Sequence, residues 1–126
     1  MLLFIASCAK EEGSTPKPSS PVSTGYAGEW TCDETNKKND HYNYKVRLSK
    51  SASNNSEYYI RNFNLMGNKD SVKTIFSGTS VTIPSQEVAG IKYSGSGTIV
   101  NNSKINFSYT AYDGADTDTI TAKYSK

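Results

Sequence analysis

The stretch "KINFSYTAY" near the carboxyl end alternates apolar and polar residues along its whole length. Successive side chains of an extended strand point to opposite faces. Ile105, Phe107, Tyr109 and Ala111 therefore share one face, and Asn106, Ser108 and Thr110 the other. A helix would scatter the same residues around its circumference, so this segment is read as a half-buried strand. The pattern recurs. "EWTCDE" sets Trp30 and Cys32 against Thr31 and Asp33, and "HYNYKVRLS" sets Tyr42, Tyr44, Val46 and Leu48 against Asn43, Lys45 and Arg47. "EYYIRNF" offers Tyr58 and Ile60, "SVKTIFSG" Val72 and Phe76, and "TSVTIPS" Val81 and Ile83. "GIKYSGSGTIV" carries Ile91, Tyr93 and Ile99 around a glycine-rich middle that predicts a bend or bulge. "DTITAKY" closes with Ile120, Ala122 and Tyr124. The segments "SASNNSE", "MGNKD", "SGTS", "VNNSK" and "YDGADTD" between them are rich in turn formers.

Eight short strands, each beside the next, predict an all-β fold built as an antiparallel up-and-down meander. With one apolar face per strand the sheet must curl on itself or cover that face with a second sheet. A β-sandwich would satisfy this, but eight is also the number at which an up-and-down barrel closes around an interior just filled by side chains or one small ligand. Closure also removes exposed strand edges, and the small eight-stranded barrel is the expected architecture. Composition agrees, since the polar residues are mostly Ser, Thr and Asn, and nine Tyr and one Trp accompany the β-branched residues.

Charge excludes one class of partner. The net charge is +2 with both signs scattered, whereas a nucleic-acid binder needs a basic stripe along one face. No stretch approaches the ~20 apolar residues of a membrane-spanning helix. Catalysis has little to work with. The single histidine, His41, is next to Asp40, but neighbours on a strand face opposite ways, so Asp40 is poorly placed to orient it. No enzyme and no cofactor is expected. Cys32 shares the face of Trp30 and reads as a buried, inert thiol. Asp113, Asp116 and Asp118 in "DGADTD" hint at oxygen ligands for calcium, yet the segment lacks an EF-hand's spacing and terminal Glu and reads foremost as a hairpin turn. No cluster of His and Cys suggests zinc, and no metal is expected.

The aromatic residues are the main candidates for binding. Trp30, Tyr42, Tyr44, Tyr58, Tyr93, Phe107, Tyr109 and Tyr124 are expected to converge on one interior, where they could hold a small apolar ligand or a sugar. Rings that simply fill the barrel are the alternative, favoured by the shortness of the strands. Tyr59 and Tyr112 are expected on the outer face.

The amino end points elsewhere. In "MLLFIASCAKEE" an apolar run and two small residues precede Cys8. Ile5-Ala6-Ser7-Cys8 resembles the bacterial lipobox, whose cysteine is lipidated and becomes the mature amino terminus. The run is short and lacks a basic start, so the expectation is that either the true start codon lies upstream or the first residues of the signal have been lost. Cys8-Ala9-Lys10-Glu11-Glu12 resembles the surface-export signal of Bacteroidetes lipoproteins, which implies the outer face of the outer membrane. "GSTPKPSSPVSTG" then has Val22 as its only sizeable apolar residue and reads as a flexible spacer. The expected order is a signal-peptide remnant over 1–7, a tether over 8–25 and a barrel domain over 26–126.

Two further resemblances concern the folded part and its surface. Gly28-Glu29-Trp30 is similar to the Gly-x-Trp that opens lipocalins, which implies that Trp30 plugs a closed end. In that family an Arg from the last strand often packs on the Trp, and here the final strand offers Lys123. Through "VTIPSQ", "GSGTI" and "SYTAYDG", residues 26–126 look like small lipocalin-like lipoprotein domains of Bacteroidetes, a group of unassigned activity. Asp70-Ser71-Val72 and Asp118-Thr119-Ile120 resemble a three-residue O-glycosylation motif of the same bacteria. The expectation is a membrane-anchored monomer that binds a small apolar or glycan ligand through an aromatic-lined barrel. The alternative is an interaction protein with a filled core that meets a partner through its loops.

Overall fold

The computed structural model describes residues 25–126. Cys8, the signal remnant and nearly all of the tether lie outside the described residues. Eight strands follow in chain order: β1 Gly28–Thr35, β2 His41–Lys50, β3 Glu57–Arg61, β4 Ser71–Ser77, β5 Ser80–Val88, β6 Ile91–Asn101, β7 Lys104–Tyr112 and β8 Thr117–Ser125. Each is antiparallel to the next, and β1 also pairs with β8 from Thr31↔Ser125 to Thr35↔Thr121. The sheet therefore closes on itself as a barrel, not a sandwich.

An up-and-down barrel sorts its loops onto two rims. The upper rim carries 36–40, 62–70, 89–90 and 113–116. The lower rim carries 51–56, 78–79 and 102–103, together with residues 25–27 and Lys126. Inward positions follow the alternation. Trp30, Cys32, Val46, Leu48, Tyr58, Ile60, Val72, Phe76, Val81 and Ile83 are buried, and so are Tyr93, Ile99, Ile105, Phe107, Tyr109, Ala111, Ile120, Ala122 and Tyr124. Outward positions carry mainly Lys, Arg, Ser, Thr and Asn.

The glycine-rich middle of β6 does more than its sequence suggests. Pairing with β7 runs without a break from Lys92↔Tyr112 to Ile99↔Ile105, so the irregularity at Gly95 is confined to the β5 side, where the extra residue belongs to β5. The register shift toward β5 falls between Ile83 and Gln86, beside Pro84, which has no N–H to give the ladder. Gly95 and Gly97 serve close approach. A Cβ on Gly95 would sit 2.4 Å from the Ser108 carbonyl oxygen and 2.5 Å from the Tyr109 Cα. One on Gly97 would lie 2.7 Å from the Phe107 ring. The absent side chains leave room for the backbone and Cβ of Tyr109 and for the ring of Phe107.

The lower end is shut by Trp30, whose indole Nε1–H donates to the Tyr26 carbonyl at 2.9 Å. Lys126, just past β8, holds its ammonium 5.0 Å from the Trp30 ring centroid and donates to the carbonyls of Gly25 and Ala27. The cation over the tryptophan is thus Lys126. Lys123 has the wrong parity, because its strand neighbours Ala122 and Tyr124 face inward.

A Gly95→Ala substitution should cost at least about 2–3 kcal/mol in chemical denaturation, since backbone on both sides blocks relaxation. Ser96→Ala, one residue away and exposed, should stay within about 0.5 kcal/mol. Equal, small effects would show that β6 and β7 have room to spare.

Candidate functional site

Of the aromatic candidates, all but Tyr42 turn into the barrel. Toward the lower rim Tyr58 and Phe76 stack with centroids 4.5 Å apart, and Tyr26 closes over both. Phe107 and Tyr124 lie 4.6 Å apart in the middle. Toward the upper rim Tyr93 and Tyr109 flank Phe63, which stands 5.4 and 4.4 Å from their ring centroids. Phe63 comes from a short 3₁₀ turn, Phe63–Leu65, and is fully buried. Asn62, Asn64 and Leu65 there all have positive φ, so the turn has no period from which an inserted ring could be recognised. These contacts make the interior a packed core instead of an open aromatic cavity. Tyr42 stands 41% exposed, because β2 begins at the upper rim and its first inward position rises above the filled interior.

The upper half of the core contains a feature absent from the aromatic reading. Glu34 is only 3% exposed. Its Oε1 accepts hydrogen bonds from the phenols of Tyr44 at 2.6 Å and Tyr109 at 2.9 Å, with the Cys32 sulfur 3.9 Å away. Buried carboxylates persist only where such donors meet them. Alternation already carries this signal, since Glu34 shares parity with Trp30 and Cys32 and must face inward once they do. Burial, followed by the charge on Glu34, holds the Tyr109 phenol far above its ordinary value, and burial does the same for Tyr44. Both therefore remain donors. Burial likewise pushes the Cys32 thiol up to about 12, which keeps it from acting as a nucleophile.

Open space lies outside the core. A cleft of about 310 Å³ crosses the upper rim. Ile91 and Ala111 give it apolar lining, and Asn36, Asp40, Asn64 and Asp113 are among its polar groups. A larger cleft of about 450 Å³ lies on the flank between β2, β3 and the 62–70 loop.

The remaining candidates are accounted for locally. Asp113 Oδ1 accepts the N–H groups of Ala115 and Asp116 and so caps its own turn; these bonds hold its carboxyl below the usual range. Asp116 pairs with Lys37 at 3.3 Å, and Asp118 accepts the Lys37 backbone N–H at 3.1 Å. One oxygen of each thus ties the 36–40 loop to the 113–116 loop and the start of β8. His41 meets Asp33 across the β1–β2 ladder, not Asp40, with Nε2 to Oδ1 at 2.5 Å, and its Nδ1 lies 3.3 Å from Thr35 Oγ1. This chain of three groups lies on an exposed outer face of the β1–β2 pair. Tyr59 donates to Glu57 and Tyr112 to the Gly114 carbonyl.

The buried phenols dictate an alkaline response. In the unfolded chain they ionise near 10.0, whereas burial raises Tyr58 to about 12 and Tyr44, Tyr109 and Tyr124 further. The folded state therefore binds protons more tightly, so stability is full below pH ~10 and declines as pH rises beyond it. Phenolate absorbance from these rings should emerge together with the loss of β-sheet circular dichroism. A reversible rise in absorbance from every tyrosine while the fold persists would contradict the packed core.

No protein-family model and no curated protein matches the chain. Among solved structures it is similar to a redesigned β-barrel, at 11% identity and TM-score 0.58, with 83% of this chain and 94% of that one covered. The barrel EF1p2_mFAP2b bound to DFHBI is 12% identical with TM-score 0.59, covering 83% of this chain and 96% of that one. The redesigned barrel mFAP1 bound to DFHBI is 13% identical with TM-score 0.52, covering 85% of this chain and all of that one. Likeness at such identity concerns the fold alone: the described residues form a small eight-stranded antiparallel up-and-down barrel.

Proposed function

We propose that this is a lipid-anchored, non-enzymatic binding protein that takes a small glycan at the upper mouth of its barrel. The observation that carries the reading is the cleft of about 310 Å³ across the upper rim, set over a core that is already full. Ligand sites usually begin at roughly 300 Å³. Here the apolar patch of Ile91 and Ala111 suits the flat face of a sugar, and the amides and carboxylates of Asn36, Asp40, Asn64 and Asp113 suit its hydroxyls. The exposed ring of Tyr42 stands at the same end. The packing of Phe63 between Tyr93 and Tyr109 supports placing the site at the mouth of the barrel. The two similar barrels that hold DFHBI make small-molecule binding a reasonable use of the architecture. Support for the anchor comes from Ile5-Ala6-Ser7-Cys8 and the acidic residues that follow. The packed interior also favours a second reading, in which the loops and outer face meet a partner protein.

Native mass spectrometry of protein made in its own host should reveal a co-purified saccharide, and Ile91→Glu should weaken binding about tenfold or more, roughly 1.4 kcal/mol, with the fold intact. Retention of an apolar molecule that binds more tightly to Phe63→Ala would move the site inside the barrel. No retained molecule in any form would favour the partner-protein reading.

The anchor is tested separately. Radioactive palmitate should label the full chain and Cys32→Ala but not Cys8→Ala. Label on Cys8→Ala would remove the anchor from the reading.

A further inference from the structure

We propose that the outer face of β2 and β3 is a second binding site, for a phosphate monoester, with Arg47 and Arg61 as its principal groups. The two arginines are direct cross-strand partners, and both are exposed. Opposed residues on one face of an antiparallel pair have Cβ atoms roughly 5 Å apart, a distance at which like charges destabilise the sheet. Among the described residues neither guanidinium has a carboxylate within ion-pair distance. Lys73, a third cation on this outer face, is matched by Glu57 at 3.6 Å. The same surface neutralises Lys73 with an ion pair, whereas the two arginines share one acidic neighbour, Glu29, the β1 cross-strand partner of Arg47, which forms an ion pair with neither.

Around them the chain has built a cleft of about 450 Å³. Lys45 adds a further cation to its lining, and Glu29 is the lone acid there. The far wall is Asn62 and Asn68, and Asn62 holds it rigidly. Its side-chain amide donates to the Lys45 carbonyl at 2.8 Å, and its Oδ1 accepts the Gly67 N–H at 2.9 Å. Asn62 adopts a left-handed conformation (φ 60°), one that asparagine tolerates better than most residues, to turn the loop back over the sheet.

The charge and shape select the ligand. Two guanidinium forks side by side match a tetrahedral oxyanion with several acceptor oxygens, each fork able to form paired N–H···O bonds. A phosphate monoester carries about −1.5 to −2 charge at neutral pH, which balances two arginines; a carboxylate would leave one unmatched. The monoester could belong to a free sugar phosphate or to a lipid headgroup, and both present the same group to the cleft.

The test uses the full chain with three probes: inorganic phosphate, glucose 6-phosphate, and phosphatidylcholine vesicles containing phosphatidic acid. Calorimetric titration should detect inorganic phosphate, and saturation should raise the unfolding temperature. Arg61→Thr and Arg47→Gln should each weaken binding by about tenfold or more through loss of a charge-assisted pair. Glu29→Gln should tighten it. Without phosphate, Arg61→Thr should melt no lower than the parent, because the substitution relieves a repulsion. That result would separate lost ligand contacts from a damaged fold. Glucose 6-phosphate binding without vesicle binding would identify a free ester, and the reverse a headgroup. Binding indifferent to both arginine substitutions, or absent for all three probes at concentrations on the order of 10 mM, would overturn the proposal.

Discussion

Closure of β1 onto β8 is the constraint from which the rest of the molecule follows. Thr31 to Thr35 pair with β8 while the same strand pairs with β2 along its whole length. Without that seam the sheet would have two edges and an apolar face open to water. With it, every inward side chain is confined to one small cylinder and must compete for volume there. Gly95 and Gly97 are best understood in this light, because β7 could not carry Tyr109 and Phe107 inward if β6 projected side chains at the same level. The inserted Phe63 fills what remains near the upper rim.

A full interior shifts recognition outward. The same closure, packed with rings, exposes two kinds of surface: a rim made by loops and a curved flank made by strands. The rim cleft joins a small apolar patch to amide and carboxylate groups. The flank cleft is dominated by cations. Glu34 belongs to neither. Its hydrogen bonds with Tyr44 and Tyr109 tie β1 to β2 and β7 across the core, which makes it a polar crosslink within a mostly apolar cylinder. Such groups favour one arrangement of a core over its competitors when each donor has its acceptor.

Much of this architecture was legible in the alternation of residues, which gave the strand count, the meander and most inward positions. Parity also carries the inward place of Glu34 and the outward place of Lys123, two consequences of the alternation that the aromatic pattern and the tryptophan resemblance overlooked. Other features depend on properties that a period of two does not carry. The insertion of Phe63 depends on left-handed backbone at Asn62, Asn64 and Leu65. The hairpin between β5 and β6 turns through Ala89 and Gly90, both at positive φ, although alanine is an unusual residue for that conformation. The opposition of Arg47 and Arg61 depends on register, which the 51–56 connection sets. Tyr42 had the right parity and the wrong height. Whether an inward residue lies below or above the filled level is a three-dimensional property of strand tilt.

The latch of Lys126 over Trp30 has a geometric corollary. It brings the last residue of the chain against the carbonyls of Gly25 and Ala27, so both ends of the folded domain emerge together at the lower rim. Anything fastened to the preceding residues pulls on that pole alone. The opposite pole, with its cleft, is the part of the barrel farthest from both ends.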